Sequence, residues 1–270
     1  AVHQPGRIPR RFKDLAEANK KALIAFITAG DPSPEFTVPS LHGLVAGGAD
    51  LLELGIPFSD PEAEGPAIQA SSERALSHGV TLLRVLDMVR EFRKGDTQTP
   101  IILMGYLNSV LAMQDFAAQA ATAGADGLIM VNLPPEEADE LQQELAAHGL
   151  DLIFLIAPTT TPERAQSIIQ RATGFIYYVS LKGITGAGNI QTDEVAQRTD
   201  MLRAQTDTPV CVGFGIKDGD SARRLAPHAD GVVVGSALVQ RMASGDHQGR
   251  MADTLEAAAK EIRSGLDSAD

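Results

Sequence analysis

Glu53 stands inside the apolar run ADLLELGI, flanked by Leu51, Leu52, Leu54 and Ile56, and the next stretch, PFSDPEAEGP at 57–66, carries Asp60, Glu62 and Glu64. A carboxylate set among aliphatic side chains must find donors or stay protonated, because an unpaired buried charge is very costly. The other apolar runs of the chain offer no basic side chain to pair with it. Glu53 therefore reads as a group kept for proton transfer rather than as half of a structural ion pair. One glycine and three prolines break up the acidic stretch, so Asp60 and its neighbours belong to a loop at the end of the run and not to one face of a long helix.

Two further groups of residues have chemical potential. Tyr177 and Tyr178 are adjacent in GFIYYVS, so in a strand one faces each side, and an inward hydroxyl can orient a carboxylate. SLKGITGAGN (180–189), GFGI (213–216) and GSAL (235–238) are rich in small residues and follow apolar runs. Glycine permits close backbone approach, and the free N–H groups at a helix start attract an anion. SLKGITGAGN reads as a mobile loop, whereas GFGI and GSAL, which end the last two apolar runs, together suit a phosphorylated small substrate.

The elements that must hold these residues are eight short apolar runs: 22–30, 49–57, 100–106, 125–134, 151–158, 174–180, 209–216 and 229–238. Most are continuous rather than alternating, the pattern of parallel strands covered on both faces. Helical segments lie between them. In 81–95 the residues Leu82, Val85, Leu86, Val89 and Phe92 form one stripe. The stretch 135–149 opens on Pro135 and acids and ends at Gly149, and 162–173 reads the same way at its start. AGGAD (46–50), TAGADG (122–127) and PHADG (227–231) echo one another at helix-to-strand joints. Eight strands alternating with helices predict an α/β fold, a (β/α)8 TIM barrel spanning residues 1–270 as a single domain, with a doubly wound open sheet as the alternative. The long connections near 58–66 and 181–192 fall after strands 2 and 6, on the end of a barrel where active sites form.

Composition narrows the partners. A formal net charge of −12 disfavours nucleic acid and anionic membranes. The single cysteine, Cys211, lies in an apolar run and reads as a small buried hydrophobe. The six histidines show no metal-ligand spacing, so no metal is expected. The chain has no signal-peptide core and no apolar run long enough to span a bilayer, and the expected location is cytoplasmic.

Taken in order, FITAGDP, ELGIPFSDP with GPAIQ, LMGYLN, LPPEEA, YYVSLKGITG, GFGI and VVVGSAL resemble the tryptophan synthase alpha subunit, from about residue 22 to residue 240. That resemblance implies a lyase of tryptophan biosynthesis, cleaving indole-3-glycerol phosphate to indole and glyceraldehyde 3-phosphate. It implies no cofactor in this chain and a beta-subunit partner, in an alpha2beta2 assembly, that uses pyridoxal phosphate. Position by position, Glu53 matches the acid–base glutamate and Tyr177 the tyrosine beside the substrate. Phe26 and Met104 match the walls of the indole pocket, and Gly186, Gly215, Gly235 and Ser236 the phosphate cradle. Asp60 and Thr185 match the pair through which the two long loops meet. Two positions depart from the family pattern. Glu64 stands where the second catalytic carboxylate is an aspartate, and Asn132 replaces the acid of the usual DLP. These departures leave two other readings open: an alpha-type paralogue that mainly activates a beta-like subunit, and a lyase for another phosphorylated aldol.

Overall fold

The computed structural model describes residues 5–59, 65–179, 189–213, 215–244 and 250–269. In chain order it contains α1 (Arg7–Glu17), β1 (Ala22–Thr28), α2 (Thr37–Ala46), β2 (Leu51–Gly55), α3 (Pro66–Ser77), α4 (Leu82–Arg93), β3 (Ile101–Gly105), α5 (Leu107–Leu111), α6 (Phe116–Ala123) and β4 (Gly127–Met130). There follow α7 (Asp139–Ala147), β5 (Asp151–Ile156), α8 (Pro162–Arg171), β6 (Ile176–Val179), α9 (Asn189–Arg203), β7 (Val210–Gly213), α10 (Gly219–Leu225), β8 (Gly231–Val234), α11 (Ser236–Ala243) and α12 (Met251–Asp267). The eight strands pair in parallel in sequence order, and β8 pairs with β1 to close the barrel. The open-sheet alternative is thereby excluded.

Strand alternation divides the core into two shells. Ile24, Leu51, Ile102, Ile129, Ile153, Cys211 and Val233 fill the lumen. Their sequence neighbours, such as Leu23, Leu52, Leu103, Leu128 and Tyr178, pack outward against the helices. Both faces are dry, which is why the strand sequences are continuous in apolar residues. Helix α1 stops the lower, N-terminal end of the barrel: Ile8, Phe12 and Leu15 join the lumen cluster, and Phe12 packs on Phe175 with ring centroids 5.8 Å apart. Each such side chain contributes roughly 1.5–3 kcal/mol on burial.

Local signals set the helix ends. The Thr81 hydroxyl accepts the Arg84 N–H ahead of α4, and the Thr161 hydroxyl accepts the Arg164 N–H ahead of α8, which opens on Pro162. The stripe of α4 is buried at Val85, Leu86, Val89 and Phe92, joined by Met88, while Leu82 is only partly covered. The helix expected over 135–149 is instead a short 3-10 turn, Pro135–Glu137, followed by α7. The apolar runs also overstate the strands. The fourth ends at Met130, ahead of a turn at Val131–Asn132, and the eighth ends at Val234, because Ser236 already begins α11.

The echoed AD dipeptides have a shared task at the lower end of the barrel. Asp50, Asp126 and Asp230 each donate a backbone N–H to the carbonyl of Leu23, Ile101 and Val210 respectively. The side chain of each then accepts the N–H of that same residue, at 2.8–2.9 Å. A guanidinium closes each of these clasps: Arg263 of α12 on Asp50 at 2.7 Å, Arg93 of α4 on Asp126 at 2.9 Å, and Arg203 of α9 on Asp230 at 3.1 Å. The strand pairs β1–β2, β3–β4 and β7–β8 are fastened in this way. At the β5–β6 pair the corresponding place is Gly174, with φ +75°, where a side chain would collide with Ile153.

Candidate active site

Glu53 is the third residue of β2 and lies in register between Phe26 of β1 and Ile102 of β3. It shares its inward parity with Leu51 and Gly55. It is 1 % exposed, and its Oε1 has no hydrogen-bond partner among the described residues. Burial alone pushes its pKa up to about 8. Near neutrality the group is mostly a neutral acid, able to give a proton and, once ionised, to take one back.

The space beside Glu53 is shaped by missing side chains. A Cβ on Gly55 would come within 2.8 Å of the Phe26 ring, and one on Gly235 would stand 3.5 Å from it. The ring of Phe26 can lie beside Glu53 because β2 carries no side chain two residues further on. Met104, level with Gly55 on β3, is partly exposed and packs against the lumen cluster. Tyr177 of β6 is level with Leu155 and Cys211 and belongs to the same shell. Its pKa is raised well above that of an ordinary phenol by burial, then by Glu53, then by Cys211. The hydroxyl therefore stays protonated within electrostatic reach of Glu53. Gly213 makes room for it, since a Cβ there would overlap both the Tyr177 ring and its hydroxyl. Tyr178 points the other way, into the outer shell.

At the upper end of the barrel, Phe58 and Tyr106 stack at 4.3 Å with their planes 15° apart, just past β2 and β3. Past β7, Gly215 has φ +65°, and a Cβ on it would meet nothing within 4 Å. Past β8, Gly235 is the N-cap of α11, with no side chain capping that end, and Ser236 is the first helical residue. The first N–H groups of an α-helix have no intrahelical partners, so this end suits an anion. Asn132 is exposed on the rim, where its Oδ1 accepts the Leu107 N–H at 2.9 Å and ties the segment after β4 to the start of α5.

Glu53, Phe26, Met104 and Tyr177 thus meet in one lumen, with Gly215, Gly235, Ser236 and Asn132 at its upper end. Asp60, Glu64, Thr185 and Gly186 lie outside the described residues, and so does much of the two long connections. Gly55 and Gly213 were not singled out from sequence. The available signal was their even spacing from Glu53 and Cys211, which sets them on the lumen side of their strands. Cys211 is buried in the lumen, in keeping with its apolar run. Among the described residues, no group of three or more His, Cys, Asp or Glu side chains is placed to hold a metal ion, and no helix is long and apolar enough to cross a membrane.

The likeness to known proteins extends over nearly the whole chain. The family model of the tryptophan synthase alpha chain matches residues 12–267. The tryptophan synthase alpha chain of Alkalilimnicola ehrlichii is 53% identical over 97% of this chain and 96% of its own length, and that of Thioalkalivibrio sulfidiphilus is 56% identical over 88% and 90%. Among solved structures, tryptophan synthase subunit alpha from Legionella pneumophila superposes with a TM-score of 0.90 at 46% identity, covering 98% of this chain and 99% of that one. A chain of Mycobacterium tuberculosis tryptophan synthase does so with a TM-score of 0.87 at 35% identity, covering 97% and 99%. With the closed eight-stranded barrel and the inward glutamate, this places the chain in the tryptophan synthase alpha chain family.

Proposed function

We propose that this chain cleaves indole-3-glycerol phosphate to indole and glyceraldehyde 3-phosphate, with Glu53 as the acid–base group. The observation that carries the reading is the Glu53 carboxyl in the lumen, whose Oε1 has no hydrogen-bond partner among the described residues and whose pKa is pushed up to about 8. Cleavage of the bond between the indole C3 and the side chain needs a proton on C3 and the loss of one from the adjacent hydroxyl. Glu53 in its neutral form gives the first. A second carboxylate, assigned to Glu64, takes the ring N–H proton as the 3H-tautomer forms. Glu53, now ionised, removes the hydroxyl proton. The carbon–carbon bond breaks toward the ring, and the nitrogen regains its proton from Glu64. Protons balance and nothing is oxidised.

In this reading Phe26 and Met104 flank the indole, and Tyr177 supplies a fixed neutral hydroxyl beside Glu53. Gly186, Gly215, Gly235 and Ser236 receive the phosphate through backbone N–H groups. Asp60 and Thr185 join the connections near 58–66 and 181–192 over the substrate, and the whole chain works as one domain. Asn132 holds α5 in place at the rim. Indole is a product that a partner must collect at the upper end of the barrel. We assign that role to a tryptophan synthase beta subunit, which would hold the pyridoxal phosphate. Leu111 of α5, 69% exposed just past β3, is an apolar side chain suited to such a contact. The net charge and the single cysteine favour a cytoplasmic setting. A role limited to activating a beta subunit is not favoured, since Glu53 keeps the buried setting that proton transfer to carbon requires.

The test is indole release by the isolated chain from indole-3-glycerol phosphate, repeated with a beta subunit added. The parent should release indole, faster with the partner, and Glu53→Gln should release none in either case. Undiminished release by Glu53→Gln would remove Glu53 from the mechanism.

A further inference from the structure

Helix α3 has few apolar side chains to hold it. Its buried residues are Ser71, Ser72 and Ala75, whereas α4 buries Val85, Leu86, Met88, Val89 and Phe92. Ile68 and Leu76 of α3 are only partly covered. Polar contacts to the end of β1 and the turn after it stand in for the missing apolar face. The Thr28 and Ser71 hydroxyls, both buried, lie 2.6 Å apart, and Ser71 donates to the Ile68 carbonyl at 2.8 Å, which leaves Thr28 to donate to Ser71. Three residues further on, the fully buried Asp31 accepts twice from Arg74, from Nε at 2.6 Å and from Nη2 at 3.1 Å. Gly30, with φ +89°, lets the chain between these two contacts run close to the end of α3. A Cβ there would collide with Val80 and come within 3.3 Å of the Ala75 methyl.

An apolar face tolerates some sliding, whereas a guanidinium–carboxylate fork and a hydroxyl pair fix direction as well as distance. Ser71 and Arg74 stand three residues apart, on one face of α3. Their partners Thr28 and Asp31 follow directly on the strand that carries Phe26. The two contacts therefore set both the height and the rotation of α3 against the barrel. The helix begins at Pro66, with Gly65 as its N-cap, and Glu64 is the residue before that cap. A displacement of α3 passes straight to the point where Glu64 leaves the chain. The proposed phosphate seat is better insulated, because α11 packs on β1 through contacts of its own.

We propose that Asp31 and Arg74, with Thr28 and Ser71, are positioning residues for the second proton transfer, holding the start of α3 at the height from which Glu64 serves the ring nitrogen. In this role none of the four touches the substrate. The inference rests on the lyase reading, with Glu64 as its second carboxylate.

Arg74→Lys keeps the charge opposite Asp31 but loses the fork, and Thr28→Val keeps the shape but loses the hydroxyl. Asp126→Ala, at the lower end of the barrel, is the control for general loosening. Indole release from indole-3-glycerol phosphate gives kcat and KM for the parent and all three variants, and urea unfolding shows that each is folded under the assay conditions. A misplacement of about 1 Å can cost roughly 100-fold in rate, so a partial shift of α3 should lower the kcat of Arg74→Lys about tenfold and leave its KM within about twofold. Thr28→Val should lower kcat in the same sense, and Asp126→Ala should keep the parent's kcat despite its lower stability. Parent-like kcat in Arg74→Lys or in Thr28→Val would overturn the proposal. So would a KM that rises as far as kcat falls, or an equal loss of kcat in Asp126→Ala. An inactive parent would instead overturn the lyase reading, and this role with it.

Discussion

Replacing Glu53 with glutamine should make the protein more stable, and increasingly so as pH rises. The folded-state pKa of Glu53 is about 8, against 4.5 for the free side chain. The native protein therefore binds the proton more tightly than the unfolded chain does, and stability from this group is fully present below pH 4.5 and lost as pH rises through 8. At about 1.4 kcal/mol per unit, the loss is roughly 1 kcal/mol at pH 5, 3 at pH 7 and 5 at pH 9. Glutamine keeps the shape and removes the titration. Its amide brings its own unsatisfied donors, which shift the comparison by a constant but give it no slope. Urea unfolding of parent and Glu53→Gln, followed by dichroism at pH 5, 7 and 9, should therefore give a stability difference that moves by about 4 kcal/mol in favour of the variant. Every other titrating group is common to both proteins and cancels. A difference that stays flat across that range would mean that Glu53 is paired or hydrated in the native state, and the general-acid argument would fall with it.

Substitutions at three other positions probe separate parts of the molecule. Gly213→Ala should displace the Tyr177 ring, and because a shift of about 1 Å near the chemistry can lower rates roughly 100-fold, kcat/KM for indole-3-glycerol phosphate should drop by about that factor in steady-state assays. Glu64→Gln should abolish indole release and Glu64→Asp should equal or exceed the parent, since glutamate sets its oxygens about one bond length farther from the backbone; a dead Glu64→Asp would point to another substrate. Asp126→Ala takes the carboxylate from Arg93 and Arg7, which then keep only backbone carbonyls, and removes the acceptor of the Ile101 N–H; it should cost about 3 kcal/mol in denaturant unfolding while leaving kcat nearly unchanged.

The barrel was legible because parallel strands buried on both faces are written as plain apolar runs, and the sequence order of strands is their spatial order. Strand ends were not legible. Asn132 and Ser236 lie inside the apolar runs 125–134 and 229–238, yet one belongs to a turn and the other to the start of a helix. Glu53 stood out because a charge in such a run has no bland use. Gly55 and Gly213 did not, since a residue that works by leaving space gains meaning only when the ring that fills the space is known. The AD echo was visible, but its purpose was not: Arg93, Arg203 and Arg263 reach their aspartates across distances that no local pattern records.

Those three clasps also differ in how much chain they close. The Arg93–Asp126 and Arg203–Asp230 pairs span 33 and 27 residues, and the Arg263–Asp50 pair spans 213. Loop closure grows with the logarithm of length, so the last costs about 2 kcal/mol more in chain entropy than the others. In a chain emerging from the ribosome, the β3–β4 and β7–β8 pairs can be fastened soon after their own helices appear. For the β1–β2 pair, which carries Phe26 and Glu53, the Arg263 guanidinium is available only once α12 has been made. The same guanidinium also donates to the Lys21 carbonyl, so the first strand to be synthesised is secured by the final helix. Refolding should therefore complete the clasp beside the catalytic strand late, and a chain cut short before α12 would retain two closed clasps and leave the third, next to the buried acid, without its Arg263 guanidinium.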